Sequence, residues 1–407
     1  MRYRSMWATA LLAASVLGRI LWITLSTNGA NFVDLRVYRG GAAGLPDQVY
    51  NFEYNGLGVA TPLPFTYPPF AAVVLYPLSL LPWDVVAWAW QAATIAALYG
   101  SIVLALRLCG RTNGGYPVAA AWTAVAIWCE PVRETLDYGQ INVFLMLGTL
   151  AAIRWAGSRA GEAAGGALIG LMAAIKLTPA ISAVWYLAVR KPLGALAAAL
   201  SFGTTLLGCL LFFPDITHKY FGELIGDADR IGEPERVMNQ SLRGALSRVV
   251  GSDVGTGALW MTAVAVAVVV AVAAWRAIPR PATTGDDWLA TLLIVQLLGL
   301  LVSPISWVHH WVWLVPLAIW LWYGSGARRR GGRALAIIWA AVGILGVPWL
   351  LRQAEVHSVS LPHAVDVVGG AVWPLLALIT LGWLALTGST DEPSPTGADD
   401  VAPATAA

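Results

Sequence analysis

An all-α, polytopic membrane fold is what this sequence predicts, and three observations carry the prediction. Hydrophobic residues make up 58% of the 407 residues and charged residues only 12%, about half the charged share of an ordinary soluble domain. Apolar runs recur from the first turn to residue 387, most of them near the length of about 18 residues that crosses a hydrocarbon core of about 30 Å as a helix. Basic residues gather on connections between those runs, as the positive-inside rule requires.

The runs place spans near 5–25, 69–82, 84–106, 117–129, 141–156, 165–189, 192–213, 255–278, 287–306, 308–323, 334–351 and 366–387, about twelve transmembrane helices. Arg2 and Arg4 precede the first run as they would in a signal peptide, but the run is long and lacks a small-residue cleavage site, so it reads as a retained span. With Arg190, Lys191, Arg276, Arg280, Arg328, Arg329, Arg330 and Arg333, they mark the cytoplasmic side and put both termini inside. The same parity places two long loops, 26–68 and 214–254, outside, together with the turn containing His309 and His310. Arg107, Arg111, Arg154 and Arg159 fall on connections that strict alternation would also put outside, so a re-entrant segment is expected between residues 107 and 190. Glu130 to Asn142 and Lys176 to Pro179 are the candidates, because broken helices at membrane depth must line a cavity. Residues 1–387 read as one transmembrane domain, and 388–407, rich in Pro, Ser, Thr, Asp and Ala, as a disordered tail.

A net charge of +2 with scattered basic residues gives no footing for a nucleic-acid partner. Cys109, Cys129 and Cys209 lie in or beside apolar runs without CxxC spacing and read as small core residues. No repeat of fixed period appears and the two halves do not mirror each other, which weighs against a secondary transporter.

Four places concentrate polar residues. Asp34, Arg36, Tyr38 and Arg39 follow the first span, where Asp34 is either a carboxylate facing an aqueous cleft or the cap of a short interfacial helix. The same loop ends in FTYPPF, where Pro68 and Pro69 fix an extended entry and put Tyr67 at the interface, by itself a structural feature. EPVRETLDYGQIN, 130–142, is too polar for lipid and must line water, a site or itself; Gly139 marks a backbone break, with Gln140 and Asn142 suited to sugar hydroxyls. Lys176 sits too deep in its run to snorkel, and is either functional or half of an internal ion pair, with a kink expected at Pro179. SPISWVHHWVWL, 303–314, brings His309 and His310 to a helix junction, where one of them suits a phosphate or sugar contact. Asn239 opens a glycosylation-like Asn-Gln-Ser, a weak match better read as part of a polar acceptor-facing loop.

Taken together, DLRVY at 34–38, FTYPP at 65–69, YGQIN at 138–142, IKLTP at 175–179 and SPISWVHH at 303–310 make the chain resemble the actinobacterial polyprenyl-phosphate-mannose-dependent α-1,2-mannosyltransferases. These are the family-eighty-seven group of GT-C membrane glycosyltransferases. The resemblance spans roughly residues 30 to 310 and leans toward the members that build phosphatidylinositol mannosides. It implies a GT-C fold in the plasma membrane, an extracytoplasmic active site, a polyprenyl-phosphate-mannose donor, a phosphatidylinositol mannoside acceptor, and an aspartate base in the first outer loop, which is Asp34 here. A phosphate leaving group needs positive charge rather than a protonating acid, so one general base suffices for an inverting displacement. Lys176 and one of His309 and His310 are expected at the donor phosphate, with Arg36 a weaker candidate; Tyr38, Tyr67, Gln140, Asn142 and Asn239 are expected at the sugar and acceptor hydroxyls. A polyprenylphosphoarabinose-dependent arabinosyltransferase is the nearest alternative, and a lipid-linked-sugar flippase is the alternative from another class.

No cofactor is expected, and no metal, because Asp34 is followed by Leu35 rather than by the second carboxylate of an acidic pair. Activity is therefore expected to survive exhaustive chelation. Loss with EDTA and recovery with magnesium or manganese would instead bring in Glu130 and Asp137 as ligands.

Overall fold

Helices run on where apolar sequence is unbroken and stop where Pro, Gly or a buried charge interrupts it. The protein, seen in a computed structural model that describes residues 2–26, 29–56, 61–111, 115–227, 230–279 and 281–388, therefore mixes long helices with very short ones. In order they are α1 (Arg2–Leu25), α2 (Val33–Ala43), a two-stranded antiparallel sheet of β1 (Glu53–Tyr54) and β2 (Leu63–Pro64), α3 (Pro69–Leu75), α4 (Trp83–Leu108), α5 (Gly115–Ala126), α6 (Glu130–Tyr138) and α7 (Asn142–Trp155). Next come α8 (Arg159–Ile175), α9 (Ser182–Ala188), α10 (Pro192–Phe212), α11 (Pro214–Lys219), α12 (Leu242–Val250), α13 (Ala258–Arg276) and α14 (Gly285–Val302). Last are α15 (Leu314–Tyr323), α16 (Gly332–Leu345), α17 (Val347–Val356), α18 (His363–Gly370) and α19 (Val372–Thr387).

Among the described residues, six helices are long and apolar enough to cross a membrane, or up to eight if two bent pairs are each counted as one span. One of those pairs is α6 with α7, bent by 117° around Gly139 and Gln140, so the first expected re-entrant candidate is a sharply broken one. The core lies along α14 and α15, where Leu314 to Leu321 are buried without interruption. The rings of Trp311, Trp339 and Trp373 stack against one another there, at 5.6 to 6.3 Å. α10 and α13 keep mostly exposed aliphatic side chains, the surface a helix presents to lipid.

Contacts sort the connections into two ends. At the basic end the Leu108 carbonyl lies against Gly285, Arg111 covers the Tyr323 ring at 4.3 Å, and Lys191 lies over Trp288 at 5.1 Å. Arg329 joins the same end by donating to the carbonyls of Ala277 (2.9 Å) and Leu384 (3.2 Å), and Glu162 accepts the Gly194 N–H at 3.0 Å. At the opposite end Arg19 pairs with Asp137 at 2.6 Å, Glu130 accepts the Trp349 N–H at 2.6 Å, Tyr50 stacks on Tyr220, and Asn239 bridges to Trp307.

Two departures from the expected spans explain why the arginines between 107 and 159 disobeyed strict alternation. Residues 69–82 do not run to the basic end: α3 passes into the 3₁₀ turn Tyr76–Leu80, and Arg39 on α2 pulls the far end back through the carbonyls of Leu78 (3.2 Å) and Leu81 (3.1 Å). Residues 165–189 are not one span. α8 stops at Ile175, Lys176 is extended, and α9 returns Trp185 to the Trp288 carbonyl (2.9 Å) at the basic end. Arg107, Arg111, Arg154 and Arg159 thus sit with the other cations. The expected tail beyond Gly388 lies outside the described residues.

The positive-inside rule then predicts the outcome of cysteine labelling in intact cells. Exposed Asp47 and Glu223, replaced by Cys, should react with impermeant thiol reagents. The basic-end probe should be exposed Arg330→Cys rather than buried Arg329, and it should react only after permeabilisation. Labelling of Arg330→Cys alone in intact cells would invert the topology.

Candidate active site

Every segment of the site lies where a helix starts or breaks, because only there does a buried chain turn its polar groups inward. α2 begins at Val33, with Phe32 left-handed at the cap position (φ 54°) and its N–H on the Asp137 carbonyl. Asn31 Oδ1 accepts the Val33 N–H at 3.2 Å, so the helix start is tied down by Asn31 and Asp34 is free of the capping role weighed from sequence. One turn of helix separates Asp34 from Tyr38, which puts both on one face. α6 ends at Gly139, left-handed at φ 70° and packed so tightly on Leu35 that a Cβ would stand 2.6 Å from its Cβ; any other residue would push α2 away.

Around that turn six side chains interlock. Tyr38 donates to Gln140 Oε1 at 2.7 Å, and the Tyr67 hydroxyl lies 2.7 Å from the Tyr38 hydroxyl and 3.2 Å from the same Oε1. Lys176 Nζ donates to Asn142 Oδ1 at 2.8 Å and to Gln140 Oε1 at 3.4 Å, and stands 3.3 Å from His310 Nε2. Asn142 Nδ2 donates to the His309 carbonyl at 2.8 Å, which Thr135 also approaches at 3.3 Å. The half-buried Asp34 carboxyl is pushed up to about 6 by loss of solvent, against the opposing pull of the Lys176 ammonium and the Gln140 hydrogen bond.

Lys176 is only 8% exposed, yet forms no ion pair among the described residues, so the internal-pair alternative is not what the structure builds. On its far side Asn142 and His310 line a cavity of about 310 Å³, walled by Leu145, Leu177, Ile181 and Leu300. Its polar lining includes Gln296 on α14, which sequence reasoning missed; a glutamine in an apolar run was the available signal.

The remaining expected site residues lie elsewhere. Arg36 points off the opposite face of α2 and stacks on Trp83 at 3.9 Å, away from Lys176. The ring of His309 packs edge-on between Tyr138 and His310, with both nitrogens lacking a hydrogen-bond partner, so His310 is the histidine brought to Lys176. Asn239 is fully buried and its amide is spent within the protein: Nδ2 on the carbonyls of Pro234 and Pro304, Oδ1 on the N–H groups of Ser306 and Ser241. Most of the polar density of α6 is likewise internal. Asp137 holds Arg19 and Trp22, Glu130 holds the start of α17, and Arg352 donates to Tyr138 at 2.9 Å. No group of three or more His, Cys, Asp or Glu is placed to hold a metal among the described residues.

The family model of glycosyltransferase family 87 matches residues 65–304. A polyprenol-phosphate-mannose-dependent α-(1-2)-phosphatidylinositol pentamannoside mannosyltransferase of Mycobacterium tuberculosis is 47% identical over 386 residues, 93% of this chain and 86% of that protein. A protein of the same description from Mycolicibacterium smegmatis is 45% identical over 387 residues, 93% of this chain and 91% of that one. A phosphatidylinositol mannoside mannosyltransferase of Mycobacterium tuberculosis is 33% identical over 409 residues, covering 94% and 92%. No solved structure gives a significant match.

Because four bonds converge on its amide, Asn239→Ala should strand buried N–H and C=O groups and lower stability by roughly 1–3 kcal/mol. The check is the thermal midpoint of purified protein, which should fall by several degrees, with substrate KM values little changed in the folded fraction. A raised KM at unaltered stability would put Asn239 back among the substrate contacts.

Proposed function

The chain belongs to glycosyltransferase family 87, and on that premise we propose that it transfers mannose from a polyprenyl-phosphate-mannose donor to a phosphatidylinositol mannoside, forming an α-1,2 linkage with inversion. The names of the similar mycobacterial enzymes favour mannose over arabinose and a transferase over a flippase. The observation that carries the reading is the pairing of a half-buried carboxylate, Asp34, one helical turn before Tyr38, with a buried cation, Lys176, that forms no ion pair among the described residues.

That pairing fits the two demands of the reaction. The acceptor hydroxyl oxygen attacks the anomeric carbon, its proton passes to Asp34, and the bond from that carbon to the phosphate oxygen breaks. The electron pair leaves on the polyprenyl phosphate, whose growing negative charge needs a cation already in place. Lys176 supplies it, and His310, whose Nε2 stands 3.3 Å from the ammonium as an acceptor, helps to hold it in place. Inversion turns a β-linked donor into an α-linked product.

The enzyme is a multi-pass membrane protein, and we place its active site on the extracytoplasmic side of the plasma membrane, opposite the basic end. A GT-C arrangement follows, with about twelve crossing segments, several of them broken or short, forming one catalytic domain over 1–387.

Asp34→Asn should leave the protein folded and cut turnover by roughly two to four orders of magnitude, with donor affinity little changed. Lys176→Ala should weaken donor binding as well as turnover. In the wild type, rate should fall with pH below about 6, where Asp34 takes up its proton, since its raised value sets the acid limb. The assay is mannosyl transfer from the carrier lipid by monodisperse variants. Near-normal turnover of folded Asp34→Asn would remove Asp34 as the base.

A further inference from the structure

Several arginines at the outer end have their charge or their donors met inside the protein. Arg19 pairs with Asp137, Arg243 with Asp253, and Arg248 donates to the carbonyls of Arg236 (2.8 Å) and Asn239 (3.0 Å). The two on α2 differ. The Arg36 guanidinium lies 3.9 Å from the centroid of the Trp83 ring, and among the described residues it enters no ion pair and no side-chain hydrogen bond. Arg39, three residues on and so its neighbour on the same face, donates to the carbonyls of Leu78 and Leu81 and likewise has no carboxylate partner. Asp84, in the first turn of α4 beside Trp83, pairs with neither. A guanidinium laid on an indole face keeps the N–H groups of its edge free for an anion. The chain that Arg39 holds is apolar at its surface, with Leu80 68% and Leu81 45% exposed. Paired cations beside lipid-facing leucines have the form of a phospholipid headgroup site, with the phosphate at the arginines and the acyl chains against the leucines.

Of the two lipid substrates, the acceptor is the one whose phosphate belongs there. The donor phosphate leaves from the anomeric carbon and has to lie beside Asp34 and Lys176. Arg36 is two residues from Asp34, on the opposite face of a helix about 10 Å across with its side chains. A phosphatidylinositol mannoside carries a different phosphate, the diester between its inositol and its glycerol, set apart from the reacting hydroxyl by the inositol and mannosyl rings. We infer that Arg36, stacked on Trp83 and flanked by Arg39, binds the phosphodiester of the acceptor lipid, with Leu80 and Leu81 against its acyl chains. The inference rests on the reading of the chain as a phosphatidylinositol mannoside mannosyltransferase. Sugar transfer and acceptor anchoring then fall to opposite faces of α2, so the helix that carries the base also sets where the acceptor stands.

The test compares Arg36→Gln with wild type as full-length, monodisperse protein in mixed micelles. The variant should raise the KM for the phosphatidylinositol mannoside by about tenfold or more, the loss expected for hydrogen bonds to a charged group, and keep kcat and the donor KM within about twofold. Dihexanoyl phosphatidylinositol, which has the diester and no mannose, should inhibit the wild type competitively against the acceptor and the variant much more weakly. Dihexanoylglycerol, which lacks the phosphate, should inhibit neither. Arg36→Lys keeps the charge without the two-pronged donor set and should fall between; with the wild-type inhibition pattern it decides the matter if Arg36→Gln does not fold. A raised donor KM with an unchanged acceptor KM would overturn the inference and return Arg36 to the donor phosphate. Equal inhibition by dihexanoylglycerol, or phosphatidylinositol inhibition unaltered by the substitution, would overturn it as well, leaving Arg36 a packing partner of Trp83. If the wild type transfers no mannose to the acceptor, the proposed function fails first. Titration calorimetry with dihexanoyl phosphatidylinositol needs no turnover and still reports the site, as binding that Arg36→Gln weakens; equal binding by both proteins would sink the site on its own.

Discussion

A single ammonium group, that of Lys176, is the constraint around which the site is arranged. A buried cation without an anion costs several kcal/mol unless its donors are satisfied, and here neutral groups do that work: Asn142, Gln140 and His310 accept or face its protons, and the Tyr67 ring lies 5.3 Å away. Neutral partners satisfy hydrogen bonds while leaving the charge uncancelled. The result is a positive potential held in a protein environment, the condition under which a phosphate gains most from binding. A carboxylate in direct contact would have made the lysine more comfortable and would have competed with the substrate for it.

Delivering three acceptors to one point near a membrane face requires backbone that is not helical, and the chain breaks its helices in register to provide it. α6 ends at Gly139, α8 ends at Ile175, α2 begins after Phe32, and α14 ends before the 3₁₀ turn Val308–Trp313. The freed backbone groups are used at once: Asp137 O takes Phe32 N–H, His309 O takes Asn142, and Asn239 ties the segment 303–306 to the second long loop. Irregular backbone is tolerated at such depth only when each polar group is met in this way.

Much of this was legible in the sequence because lipid makes polar residues conspicuous. Asp34, Tyr38, Tyr67, Gln140, Asn142, Lys176 and His310 stand out against apolar runs, and the structure gathers them from across the chain. Arg36 and Asn239 stand out equally and go elsewhere. For Arg36 the reason is helical geometry, since two residues along α2 lie on the opposite face from Asp34; recognising 33–43 as a helix would have separated it. Nothing in a local pattern distinguishes an asparagine that binds substrate from one that ties two loops, so Asn239 could not be placed. Span counting failed where length was ambiguous. Pro77, Pro82 and the Arg39 tether turn 69–82 back, Pro179 and Lys176 divide 165–189, and the two errors cancel in parity, which hid both.

The polar run at 130–142 shows why density alone overstates chemistry. Of its charged residues, Asp137 is tied to Arg19 and Trp22 on α1, Glu130 to the first turn of α17, and Arg133 to the Trp349 ring at 4.9 Å. These bonds reach two separate helices, α1 and α17, and hold the short α6 from two sides, although nine residues are too few for a helix to be stable by itself. The glutamine and asparagine that meet Lys176 sit on the next turn of chain and inherit that rigidity. A site that must keep its base and its cation in fixed relation to a transferred sugar tolerates little movement, so the ion pair, hydrogen bonds and ring contact on α6 serve the reaction without touching it.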